Sequence, residues 1–98
     1  MLDAARKITH FIEGVTELSF REDEKTQLAI VRLLEIAGEA ANSISDQFKE
    51  NNAQIPWREI TATRNRLVHG YFDVDLGIVW KIITGDVPQL IEHLAPLV

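Results

Sequence analysis

A chain of 98 residues with a formal net charge of −5 has room for one hydrophobic core, and bulk electrostatics do not draw it onto nucleic acid. Hydrophobic residues make up 46% and charged residues 26%, the balance of a globular protein. There is no cysteine, which removes disulfides, thiol catalysis and cysteine-ligated zinc.

The apolar runs are only a few residues long, too short to span a bilayer. Met1 to Lys7 leads into no signal-peptide h-region. One cytoplasmic domain over residues 1–98 is therefore expected. Ala4, Ile8, Phe11, Ile12, Val15 and Leu18 recur at helical steps. They predict a helix over 4–18, which Gly14 weakens by about 1 kcal/mol relative to alanine. Ile30, Leu33, Leu34, Ala37, Ala41, Ile44 and Phe48 form an apolar stripe that predicts the longest helix, over 22–50. Glu22-Asp23-Glu24 suits the positive end of its dipole. In the middle, Ala37-Gly38-Glu39-Ala40-Ala41 leaves room for a close helix neighbour, and Glu39 is placed to face an arginine.

Asn51-Asn52 ends that helix, and Ile55-Pro56 is an extended turn. Trp57 to His69 follows as a helix, with Gly70 in the C-cap position. Asp75 caps a last helix whose stripe is Leu76, Val79, Trp80, Ile83, Val87, Leu90, Ile91 and Leu94. A kink or break is expected at Thr84-Gly85-Asp86-Val87-Pro88, with Asp86 able to cap the second half. Without any sustained period of two, the chain reads as an all-α, up-and-down bundle of four or five helices.

The chain has no phosphate loop, no GxGxxG, no HExxH and no nucleophile elbow. His10, His69 and His93 lack metal-ligand spacing, so no metal and no cofactor are expected. From Trp57 to Tyr71 the charge is locally basic, with Arg58, Arg64 and Arg66 against Glu59. Within that stretch, Asn65 precedes His69 by four residues and shares its helix face. Arg64 lies five before His69, about 140° around an ideal helix. These residue types suit phosphodiester cleavage. A histidine titrates near neutrality and serves as acid or base. An arginine grips two phosphate oxygens, and an asparagine orients the imidazole or a ribose. By spacing alone, a helix-capping histidine beside a surface arginine is the better reading.

The fuller string is more specific. Ile55-Pro56-Trp57-Arg58-Glu59-Ile60, then Arg64-Asn65-Arg66-Leu67-Val68-His69-Gly70-Tyr71-Phe72, then Val74-Asp75-Leu76 and Val79-Trp80, resembles the HepT family of HEPN-domain toxins, encoded beside a minimal nucleotidyltransferase, MntA. Leu34 to Ala41 and Asp86 to Leu90 resemble further blocks of that family in the same order. The resemblance implies a dimeric HEPN bundle and a metal-independent RNA endonuclease that acts as a toxin. It makes Arg64 and His69 the catalytic pair, Asn65 their support, and Tyr71 the position that the MntA-like antitoxin modifies with AMP. Two other readings remain: a non-catalytic, nucleotide-binding HEPN partner of a nucleotidyltransferase, and a structural dimer with Trp57, Tyr71 and Trp80 as interface aromatics.

Overall fold

Turn chemistry cuts both of the long helices that the apolar periodicity predicts. The computed structural model describes residues 1–69 and 75–97, with side chains up to Leu67 in the first span. Helix α1 (Leu2–Phe11) ends early. Gly14 then adopts φ +72°, a left-handed conformation that a Cβ disfavours. Thr16 restarts the chain as α2 (Glu17–Glu22). The Thr16 hydroxyl accepts from the Ser19 amide at 3.1 Å, and the Ser19 hydroxyl accepts from the Thr16 amide at 3.0 Å, a reciprocal cap. Residues 4–18 are therefore not one helix.

Helix α3 (Glu24–Asn42) starts where Asp23 caps it. The Asp23 carboxylate accepts from the Thr26 hydroxyl at 2.6 Å and the Thr26 amide at 3.2 Å. These bonds, the hydroxyl's first, favour the charged form and hold the carboxyl below its ordinary range. The expected helix over 22–50 divides at Ser43–Ser45. There the Ser43 hydroxyl donates to the Glu39 carbonyl at 3.1 Å, and the Ser45 hydroxyl accepts from the Phe48 amide at 3.2 Å. Local side-chain bonds of this kind compete with the helix ladder, and α4 (Asp46–Asn51) begins a new axis.

Helix α5 (Trp57–His69) follows as expected. Its Gly70 cap lies outside the described residues. Helix α6 (Leu76–Lys81) is capped by Asp75, whose Oδ1 accepts from the Gly77 and Ile78 amides at 2.9 and 3.3 Å. Asp75→Ala is expected to lower the unfolding free energy by about 1 kcal/mol. This would be read as a lower urea midpoint at unchanged slope; an unchanged midpoint would show the cap to be idle.

Where a kink or break is expected, the helix is irregular but not broken: a π-helical turn, Ile82–Asp86, leads directly into α7 (Val87–Leu94) and a closing 3₁₀ turn, Ala95–Leu97. Asp86 makes no side-chain cap there. Pro88 is the second residue of α7, and the π turn before it, whose last bond runs from the Val87 amide to the Ile82 carbonyl, accommodates the ring and the N–H that proline lacks. Among the described residues there is no strand, so the all-α class holds, with more and shorter helices than expected.

The predicted stripes supply most of the core, although Phe11 and Leu18, expected on the stripe of residues 4–18, are exposed because that helix ends at Phe11 and α2 starts afresh. Ile30, Leu33, Leu34, Ala37 and Ala41 of α3 are buried, as are Val79, Ile83, Val87, Leu90 and Leu94 near the C-terminus. Ile8, Phe20, Ile55 and Ile83 are fully enclosed among them. Helix α3 packs on α1 and α5, and α1 packs on α7. Phe48 leaves the stripe because it belongs to α4, and lies edge-on to Trp57 at 6.2 Å. No described helix is long and apolar enough to cross a membrane.

Candidate active site

The small-residue segment of α3 meets α5 at Gly38. A Cβ on Gly38 would stand 2.6 Å from Cγ of Arg64, closer still to its Cβ, and 3.4 Å from its Cα. Gly38 therefore lets the backbone of α5 lie against α3, with the Arg64 stem laid over the glycine. Arginine stems commonly cover apolar surface in this way while the charged head reaches out.

The guanidinium is held on several sides. Nη2 of Arg64 is 3.5 Å from Oε1 of Glu39, one helical position beyond Gly38. Nη1 donates to Oδ1 of Asn65 at 3.2 Å. Nε is buried and finds no hydrogen-bond partner among the described residues. Such an orphaned donor costs about 1–3 kcal/mol. Each terminal nitrogen carries a second N–H, and among the described residues neither of these has a partner. The side chain of Arg64 is 30% exposed, within reach of solvent but not free in it.

Of the residues singled out in the sequence, the structure thus brings together Arg64, Asn65 and Glu39. The expectation that Glu39 faces an arginine is met. The backbone of α5 is continuous from Arg64 to His69, so their offset of about 140° around the axis persists. The His69 side chain and Tyr71 lie outside the described residues. Gly38 as the contact partner of Arg64 was not legible in the sequence. The run of small residues signals a close approach without saying which helix approaches. Trp57 and Trp80 both have partners inside the chain. Trp57 donates from Nε1 to the Asn52 carbonyl at 3.1 Å, and Trp80 packs on Phe20 at 5.4 Å. A separate cleft of about 230 Å³ includes Ile8, Leu34, Glu59, Asp86 and His93 in its lining, but neither Arg64 nor Asn65.

These features define a class of small all-α protein in which an Arg-x-x-x-x-His helix is seated on a neighbouring helix through a glycine. The family model described as "Ribonuclease HepT-like" matches residues 1–97, and the chain belongs to that family. A protein of Thermococcus cleftensis named as a probable ribonuclease HepT is 42% identical over 91 residues, covering 90% of this chain and 83% of the relative. A protein of Methanocaldococcus jannaschii named as a putative RNase is 34% identical over 90 residues, covering 92% and 83%. A relative in Caldanaerobacter subterraneus with the same kind of name is 37% identical over 79 residues, covering 81% and 70%. No solved structure matches.

Proposed function

We propose that this chain is a metal-independent RNA endonuclease and the toxin of a HepT/MntA-type pair. The observation that carries the reading is the Arg64 guanidinium, fixed by Glu39 and Asn65 with two donors left over, on the helix that also bears His69. The names of the relatives, ribonuclease HepT and RNase, support the same substrate class.

In the proposed reaction a ribose 2′-oxygen attacks the adjacent phosphorus while a base removes its proton. The bond from phosphorus to the 5′-oxygen breaks, and that oxygen takes up a proton. The products are a 2′,3′-cyclic phosphate and a 5′-hydroxyl. Arg64 neutralises the charge on the phosphorane, and His69 handles a proton. Two copies of the chain border one cleft, which removes the difficulty of the 140° offset because Arg64 and His69 then act across subunits. A partner nucleotidyltransferase silences the enzyme by AMPylating Tyr71. An anionic adduct two residues from His69 blocks the cleft and repels RNA.

The test is purified protein incubated with RNA in EDTA. Cleavage to cyclic-phosphate ends is expected, with a loss of about 100-fold or more in His69→Ala. Mixing Arg64→Ala and His69→Ala chains is expected to restore part of the activity. Absence of cleavage, or equal cleavage by His69→Ala, overturns the nuclease reading. Nucleotide affinity without cleavage would favour a non-catalytic partner subunit of the nucleotidyltransferase.

A further inference from the structure

A shallow groove of about 370 Å³ is lined by Lys49, Trp57, Arg58, Thr61, Ala62 and Asn65. Trp57, Thr61 and Asn65 lie four residues apart and so share one face of α5. They cover about 12 Å of its axis. The charged side chains of the lining, Lys49 and Arg58, are both positive, in a chain whose net charge is −5. Among the described residues neither forms an ion pair, as is true of most of the lysines and arginines; what sets these two apart is their place beside Trp57.

The aromatic wall is rigid. The half-buried Trp57 ring is tied through Nε1 to the Asn52 carbonyl and wedged edge-on against Phe48. A fixed indole flanked by unpaired cations is what an unstacked base and its phosphates require. Asn65 joins the two places, because it lines the groove and also accepts the hydrogen bond from Arg64. A strand with a phosphodiester at Arg64 would meet the groove across Asn65.

We infer that this groove is a subsite for single-stranded RNA flanking the cleaved bond, with a base on Trp57 and backbone phosphates on Lys49 and Arg58. The inference rests on the ribonuclease reading and extends it. It explains how an acidic protein grips a polyanion, through one local cationic strip. It also predicts preference for single strands, since paired bases are not free to stack on a side chain.

The experiment uses the full chain and a labelled RNA oligonucleotide with 2′-O-methyl riboses, which binds without being cleaved by 2′-hydroxyl attack. Lys49→Gln/Arg58→Gln is expected to weaken binding at least about 10-fold. Its plot of log K against log salt should be shallower by about 1.4, the value for two lost single-strand phosphate contacts at about 0.7 each. On cleavable RNA the same variant should raise KM and leave kcat nearly unchanged. In a Trp80→Phe background, the remaining indole should be quenched by single-stranded oligonucleotide and much less by duplex. Unchanged affinity and salt slope in the double variant, with the wild type cleaving normally, overturns the groove and leaves the nuclease reading standing. A changed oligomeric state with unchanged RNA affinity assigns the groove to a second copy and overturns it as well. Binding that depends on Lys49 and Arg58 in a protein that never cleaves supports the groove and overturns the nuclease reading.

Discussion

Arg64→Lys is expected to lose about 100-fold or more in RNA cleavage while unfolding close to the wild-type midpoint. Lysine keeps a long stem over Gly38 and keeps the positive charge, but it is a point charge rather than a fork. It cannot donate to Asn65, face Glu39 and still present two parallel N–H groups to a phosphate. Loss of one preorganised donor to a developing oxyanion costs about 10²–10³ in rate, and the fork is what this site preorganises. Arg64→Ala removes the charge and the stem together. It should lose at least as much activity and also about 1–2 kcal/mol of stability, since the stem is packed at the α3–α5 contact. Single-turnover cleavage and urea unfolding on both variants separate the two effects. If lysine cleaves as well as arginine, bidentate phosphate contact is not part of the mechanism.

The Glu39 pair contributes less than its position invites one to think. The two charges stand 3.5 Å apart with side chains 30% and 48% exposed, and pairs this open are worth about 0–1 kcal/mol. Glu39 therefore orients the guanidinium rather than stabilising the fold. In the proposed reaction it would also set a threshold for substrate, because an RNA phosphate at Arg64 would share it with a carboxylate already beside it.

What the sequence discloses divides along a physical line. Apolar periodicity is a local property, so the spacing of Ile30, Leu33, Leu34, Ala37 and Ala41 is enough to place them on the buried face. Helix ends depend on competing side-chain bonds, and those at Thr16, Ser19, Ser43 and Ser45 leave the apolar steps undisturbed. The stripe runs on where the helix does not. Pro88 reads as a breaker, but the π-helical turn before it accommodates the proline and lets the helix run on. In the site, Arg64 and Asn65 are legible from their order in the motif, and the acid facing Arg64 from its small neighbours. The cationic groove is not. Counting charge from Trp57 to Tyr71 finds Arg58 but misses Lys49, which reaches the same place from α4, beyond the turn at Ile55-Pro56.

Gly38→Ala sets two known effects of opposite sign against each other, which makes its outcome decisive. In an exposed helix interior the substitution would stabilise by about 0.5–1 kcal/mol, because glycine has more backbone freedom to lose. Here the new methyl would stand 2.6 Å from Cγ of Arg64 and 3.4 Å from its Cα. Cγ and the atoms beyond it can swing aside, but the Arg64 Cβ, nearer still to the new methyl, is fixed to the backbone and moves only with α5, and overpacking of this kind costs about 1–3 kcal/mol. A net loss of about 1–2 kcal/mol is therefore expected, and a larger one for Gly38→Val. Cleavage should fall further than stability alone explains, because separating α5 from α3 carries the guanidinium away from Glu39. Gly85 supplies the control: a Cβ there meets nothing within 4 Å, and Gly85→Ala should unfold no earlier than the wild type. If Gly38→Ala proves as stable as the wild type and cleaves as fast, then α3 and α5 do not meet through this glycine. The placement of Arg64 would then need another cause.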